Sequence, residues 1–369
     1  ITGSQAQLGL IHLCGFVPQF ALTLVGGVLA DRIDTRKLIG VAQINSAIAM
    51  IIVGVAALLG VAQLWHLALG AFLVGISSAI DEPARAAFFP RLLPRPLLRR
   101  AVPLISMAFG SSRVIAPSIG GFLIAAAGAS TTFLMSAAAV STMIAVLFLV
   151  RPTQRDAPAH GSLLNNFTDS LRYIQRNEVF AKIIAAALLN ATLAMGYLNM
   201  LPVFAKDVLH VDSRGLGILV SAAGIGALTG LFSYAWLQTR ISARPVIVGA
   251  LTLYNAALIG LAFSDWYWFS FCMIFLAGLC HAYFLTCVQV ILQTLVEDNY
   301  RGRVMGVFTL VWSLVFFSGF LLNTAGAFVG PRLALAGGAI IVLAYVWLSL
   351  VRAQALKTLP LATKPDTSR

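Results

Sequence analysis

Four sets of residues place charge or a titratable ring among apolar neighbours. Arg113 stands about halfway along an apolar run, in Ser111-Ser112-Arg113-Val114-Ile115-Ala116-Pro117. A bare cation at that depth in a bilayer costs at least ~2.5–3.5 kcal/mol. Such a residue faces a water-filled cavity, where it binds an anionic substrate or couples to one, or it forms a structural ion pair. Asp81-Glu82-Pro83-Ala84-Arg85 sets an acid and a base four residues apart, on one face of a helix. Asp31-Arg32 and Arg36-Lys37 bracket a short turn between two apolar runs. His281 lies near the middle of a long apolar run, as a hydrogen-bonding group or as a carrier of protons or substrate. Gln19, Asn190 and Asn199 are uncharged polar groups in similar settings.

The elements that position these residues follow from composition. Hydrophobic residues make up 59% of the 369, charged residues 10%, and the mean hydropathy is +0.90. Soluble domains run at roughly 45–50% apolar and about 25% charged. The chain cannot coat itself in a polar shell, which excludes a soluble enzyme, a disordered protein and a disulfide scaffold. Its long apolar runs predict membrane-spanning helices rather than a barrel. Eleven spans are expected, near 8–30, 38–59, 64–84, 101–126, 131–150, 179–205, 214–238, 245–263, 266–295, 303–328 and 332–351. The four cysteines, Cys14, Cys272, Cys280 and Cys287, all fall inside them as free thiols without metal-ligand spacing.

Charge orients the spans. Of the 25 Lys and Arg residues, 21 fall in alternate loops and the tail, and the positive-inside rule makes these cytoplasmic. The net charge of +12 therefore reads as topology and contact with anionic lipid, not as nucleic-acid binding. The C-terminus is cytoplasmic. Residues 1–150 form an N-terminal bundle with five spans, and residues 179–352 a C-terminal bundle with six. Residues 151–178 form a cytoplasmic linker and 353–369 a tail. Within the linker, Leu164, Phe167, Leu171 and Ile174 recur at helical spacing, which predicts an amphipathic helix on the membrane surface. Gly226/Gly230, Gly302/Gly306 and Gly326/Gly330 read as helix-packing faces.

The loop Gly27-x-x-x-Asp31-Arg32-x-x-x-Arg36-Lys37 resembles the signature of the major facilitator superfamily between its second and third helices, with Asp34 where the family has Gly. Pro117, Gly120 and Gly121 match the Pro-x-x-Gly-Gly of the family's antiporter motif, while Ser112 and Ala116 replace its glycines. Asp81-x-Pro83-Ala84-Arg85, together with Arg113, resembles the enterobactin-exporter-like branch. The resemblance implies two six-helix bundles, with the family's first helix absent before residue 1. It implies a latch at Gly27, Asp31, Arg32, Arg36 and Lys37, a gate network at Asp81, Glu82 and Arg85, and a hinge at Pro117, Gly120 and Gly121. Substrate-binding or coupling residues would be Arg113, Gln19, Asn190, Asn199 and His281. The implied activity is export of a small amphipathic molecule, of drug or siderophore type, from a bacterial cell across the inner membrane. The implied drive is proton antiport by a monomer that needs no cofactor. An importer or a lysophospholipid flippase on the same fold is the alternative. A membrane-embedded enzyme or a receptor stands further off, because no P-loop, nucleophile–base dyad or output domain is visible.

Overall fold

The computed structural model describes residues 5–92, 95–150, 171–237 and 242–352; the side chains of some helical residues, Asp31, Arg32 and Arg113 among them, lie outside the description. The described chain is almost wholly helical, with no strand. Ten of its helical stretches are long and apolar enough to cross a membrane. The remaining expected span, near 101–126, falls on the first arm of a 55-residue helix, so its backbone is helical as anticipated.

Two compact units are distinguished, one of Ile1–Arg113 and Phe122–Asn165, the other of Val114–Gly121 and Asn166–Arg369. In the first, α1 (Gln5–Arg32) packs on α3 (Leu64–Phe88), and α2 (Thr35–Leu58) packs on α3. The α1–α3 crossing depends on absent side chains. A Cβ on Gly26 would sit 2.1 Å from the Ala79 carbonyl oxygen, and one on Gly75 would sit 2.2 Å from that of Gly15. Backbones this close gain dispersion contacts that larger residues would forbid. The helix α4 (Arg95–Leu149) breaks at Gly128, where φ is 80°. Only glycine adopts that conformation without strain, so the turn expected near 127–130 is set there.

The second unit begins, within the described residues, with a helical turn at 171–176. Ile174 of the expected surface helix is buried in this unit's core, and Leu171 packs against it. This end of the linker is thus part of the unit rather than a float on the membrane; Leu164 and Phe167 lie outside the described residues. Then come α5 (Glu178–Leu193), α6 (Tyr197–Asp207), α7 (Ser213–Leu237) and α8 (Ala243–Ala262). They are followed by α9 (Tyr267–Leu295), α10 (Asp298–Val329) and α11 (Pro331–Tyr345), with a π turn at Val346–Leu350. The expected span 179–205 is therefore two helices, α5 and α6, meeting at a three-residue turn.

Of the expected glycine faces, Gly226 and Gly230 do seat α7 on α9, against the carbonyls of Phe275 and Leu279, and Gly278 answers against that of Ala223. Gly330 has a different role: its φ of 88° ends α10 and starts α11, and no atom lies near its missing side chain. Gly302 and Gly306 lie outside the residues whose surroundings are described.

The outer surface is apolar. Phe328, Leu149 and Phe232 are 75–85% exposed, which suits lipid and not water. Trp65, Trp266 and Trp268 are exposed near the starts of α3 and α9, where an amphipathic ring fits a membrane interface.

Candidate functional site

The turn between α1 and α2 is built by its own polar residues. Asp34 is the N-cap of α2, and its carboxylate accepts the Arg36 amide at 2.9 Å. This explains an acid where the family signature has glycine, since an N-cap carboxylate satisfies an amide that has no helical partner. Arg36 reaches across the first unit. Its Nη2 donates to the Phe148 carbonyl at the end of α4, and its guanidinium lies 5.3 Å from the Phe148 ring centroid. A cation on the last carbonyls of a helix is favoured by their partial negative charge. Lys37 is exposed. Gly26, next to Gly27 of the expected latch, makes a close approach to α3.

On α3, Arg85 Nε donates to Asp81 Oδ2 at 2.6 Å, and Arg85 Nη2 lies 3.1 Å from the sulfur of Met143 on α4. The expected i, i+4 pair therefore forms, and it ties α3 to α4. Asp81 Oδ1 is buried without a hydrogen-bond partner, and Glu82 is half-buried next in the chain. Gln19 on α1 is 3% exposed, and its Oε1 also lacks a partner. The helix carrying Arg113 runs unbroken through Pro117, Gly120 and Gly121, and its departure from helical geometry comes at Gly128. The Arg113, Pro117 and Gly121 sites lie outside the described side chains; a Cβ at Gly120 would meet open space.

The second unit gathers polar groups around the α5–α6 turn. The Asn190 carbonyl accepts both the Ala194 and Met195 amides, at 3.0 and 2.9 Å. The Gly196 amide donates to Ser318 Oγ of α10 at 2.9 Å. A Cβ at Gly196 would lie 2.5 Å from that oxygen, so glycine is what lets the turn lie on α10. Asn199 donates to the Val315 carbonyl at 3.2 Å, and Asn323 donates to Gly319 at 2.8 Å. Tyr254 donates to the Ala194 carbonyl at 3.4 Å. Its ring centroid is 5.4 Å from that of His281 and 6.2 Å from that of Tyr197. The Oδ1 atoms of Asn190, Asn255 and Asn323 and both ring nitrogens of His281 are buried without hydrogen-bond partners. Each such group costs about 1–3 kcal/mol. Their retention inside helices of this apolarity marks them as something other than packing. No three His, Cys, Asp or Glu side chains converge among the described residues. The cysteines are free, with Cys280 and Cys287 buried and Cys272 exposed.

Sequence reasoning missed Arg244. It stands at the start of α8, and its guanidinium donates to the Val351 carbonyl just past the π turn. That is the arrangement of Arg36 at the start of α2 and Phe148 at the end of α4. The signal was present: Arg32-Ile33-Asp34-Thr35-Arg36 recurs 208 positions later as Arg240-Ile241-Ser242-Ala243-Arg244. The second copy has Thr239 where the first has Asp31. Asn323 and Ser318 were also missed, because a lone Asn or Ser in an apolar run carries no spacing signal.

Apolar helices packed on glycines and lipid-compatible outer faces define a helical membrane protein, and its buried polar groups without partners suit a protein that handles polar cargo. Solved structures give the fold as that of the major facilitator superfamily. A bacterial homologue of the human lysosomal transporter Spinster, in its inward-facing unoccupied form, aligns with a TM-score of 0.71 at 17% identity, over 94% of this chain and 90% of the other. The nucleoside transporter NupG aligns with a TM-score of 0.67 at 13% identity, over 94% and 90%. The family model described as transmembrane secretion effector matches residues 1–363, and the chain belongs to that family of the major facilitator superfamily. Among curated relatives, the staphyloferrin A transporter of Staphylococcus aureus is 26% identical, over 82% of this chain and 77% of its own. The multidrug efflux pump Tap of Mycolicibacterium fortuitum is 25% identical, over 83% and 76%. The enterobactin exporter EntS of Salmonella typhi is 27% identical, over 84% and 74%. The chain is thus a multi-pass membrane transporter and not an enzyme.

Proposed function

We propose that the protein exports a small amphipathic organic molecule, of drug or siderophore type, across a bacterial inner membrane by alternating access in exchange for protons. It acts as a monomer of two helical bundles, 1–150 with five spans and 179–352 with six, with the linker 151–178 and the tail 353–369 in the cytoplasm. The supporting observation is the set of buried polar groups without partners, Gln19 in one unit and Asn190 and His281 in the other, in a chain whose named relatives handle siderophores and drugs. Polar groups left unpaired in one state are available for a substrate or a proton in another. Gln19, Arg113, Asn190, Asn199 and His281 contact substrate or couple to it. Gly27, Asp31, Arg32, Arg36 and Lys37 form the latch, and Asp81, Glu82 and Arg85 the gate. Pro117, Gly120 and Gly121 give the hinge.

Arg113 supplies the test. The full chain is reconstituted in proteoliposomes under an imposed pH gradient, and movement of ethidium and of an anionic catecholate siderophore is followed. If Arg113 recognises an anion, Arg113→Lys keeps the charge but loses the planar fork that binds carboxylate or phosphate in pairs. Siderophore transport then falls while thermal stability holds. If Arg113 is instead one partner of a structural pair, Arg113→Leu strands a buried carboxylate at a cost of about 3–5 kcal/mol, and the protein expresses poorly. A folded Arg113→Leu protein with full transport removes Arg113 from the proposal. Movement of neither probe against its gradient rejects the export reading.

A further inference from the structure

We infer that His281 carries the exchanged proton in the second unit and that Tyr254 transmits its charge state to the α5–α6 turn. This rests on the antiport reading above and deepens it.

The observations are geometric. His281 stands in α9, midway along a 29-residue apolar helix. Both ring nitrogens are buried and neither has a hydrogen-bond partner. A structural histidine in an apolar interior would spend at least one nitrogen on a carbonyl or hydroxyl, because a neutral imidazole offers one donor and one acceptor. Here both are free to change. The candidate spans Tyr267–Leu295 of α9 and Val311–Val329 of α10 contain no Asp, Glu, Lys or Arg, and in α5, α7 and α8 such residues (Glu178, Lys182, Arg214 and Arg244) stand in the first five positions, whereas His281 is at the middle of its helix. From α8, the titratable group facing His281 is Tyr254, and its nearest titratable neighbours on α9 itself are Cys280 and Tyr283. Tyr234 of α7 is engaged with Tyr283, their ring centroids 5.8 Å apart, and α5 and α10 bring no titratable side chain within their apolar stretches.

A proton arriving on the free nitrogen of His281 forms one N–H bond and breaks none in the protein. The product has two donors, no acceptor and a positive charge in a medium that penalises it. The Tyr254 ring lies within the distance at which an aromatic face attracts a cation, about 6 Å. The hydroxyl of the same tyrosine donates to the Ala194 carbonyl, inside the three-residue turn that separates α5 from α6. Movement of Tyr254 toward the charged ring draws on that bond, which at 3.4 Å is already long. The turn is held otherwise by the Asn190 carbonyl and by the Gly196–Ser318 bond, both able to rearrange without breaking a helix. Interrupted helices of this kind are where transporters place sites that respond to ions. The Oδ1 atoms of Asn190, one turn before Ala194, and of Asn255, next to Tyr254 in the chain, are likewise buried without hydrogen-bond partners.

The test uses the full chain in lipid nanodiscs and in proteoliposomes, with His281→Gln, His281→Asn and Tyr254→Phe. Backbone hydrogen exchange of residues 190–200 is measured between pH 5.5 and pH 8.5, each variant against wild type at the same pH. Ethidium movement under a pH gradient is measured alongside. On this proposal, protection of the turn from exchange, relative to the intrinsic amide rate at each pH, differs between low and high pH in wild type. The difference disappears in both His281 variants, and with it the acceleration of ethidium movement by the pH gradient. Tyr254→Phe keeps a ring for the cation and loses the hydroxyl, so the turn stops following pH. A wild type that responds to pH, with His281 variants responding equally, overturns the assignment and leaves antiport standing. A wild type indifferent to pH in both measurements overturns the antiport reading and the assignment with it.

Discussion

At the scale of single residues, neighbouring charges in one loop separate into different tasks. Arg36 belongs to the first unit's own framework, because it closes the carbonyl end of α4. Replacing it by alanine removes a charged hydrogen bond and a ring contact, and should cost on the order of 1–2 kcal/mol. A lower melting temperature in detergent is the expected outcome. Asp31 is placed by the family signature in a conformational contact. Asp31→Asn should therefore leave membrane insertion and melting temperature near wild type and abolish transport. Unchanged transport at normal expression would mean that the loop serves only to set topology. The melting temperatures of the two variants separate the cation that holds the end of α4 from the acid five positions before it.

At the scale of helices, glycine placement decides which pairs pack. A Cβ at Gly226 would stand 2.0 Å from the Phe275 carbonyl oxygen, so Gly226→Ala must push α7 off α9. Overpacking of this sort costs typically about 1–3 kcal/mol. Gly249 on α8 is the control, since a Cβ there meets nothing within 4 Å. Gly249→Ala should be neutral or slightly stabilising, because alanine is the better helix former. Thermal unfolding of both variants in the same detergent checks the contrast. Equal effects would show that the α7–α9 approach is looser than the geometry states.

At the scale of the whole molecule, orientation follows from the asymmetry of its cations. Single cysteines are introduced into a background lacking the native four, as Arg95→Cys, His160→Cys, Ser242→Cys and Ala129→Cys. The first three should react with a membrane-impermeant maleimide only from the cytoplasmic side. Ala129→Cys, beside the Gly128 break, should react only from outside. Cytoplasmic labelling at 129 would overturn the span count for the first five helices.

Composition and charge order were sufficient to specify a helical membrane protein, because burying an unpaired backbone in lipid leaves the helix as the solution for long apolar runs. The loop from Gly27 to Lys37 was sufficient for the superfamily, since its charges and their spacing are local. The Gly128 turn was legible for the same reason: one glycine between two apolar runs. What lay beyond the sequence depends on contacts distant in the chain. That Gly26 meets the Ala79 carbonyl of α3 depends on which face α1 presents, and one position rotates that face by about 100°. That the span at 179–205 is two helices depends on Ser318 receiving the Gly196 amide from 122 residues away. That His281 has no partner while Asn199 has one depends on which carbonyls the neighbouring helices expose. Residue type limits what a side chain can bond. Only the packing of α5, α6, α8, α9 and α10 decides which of those bonds are made and which are left open.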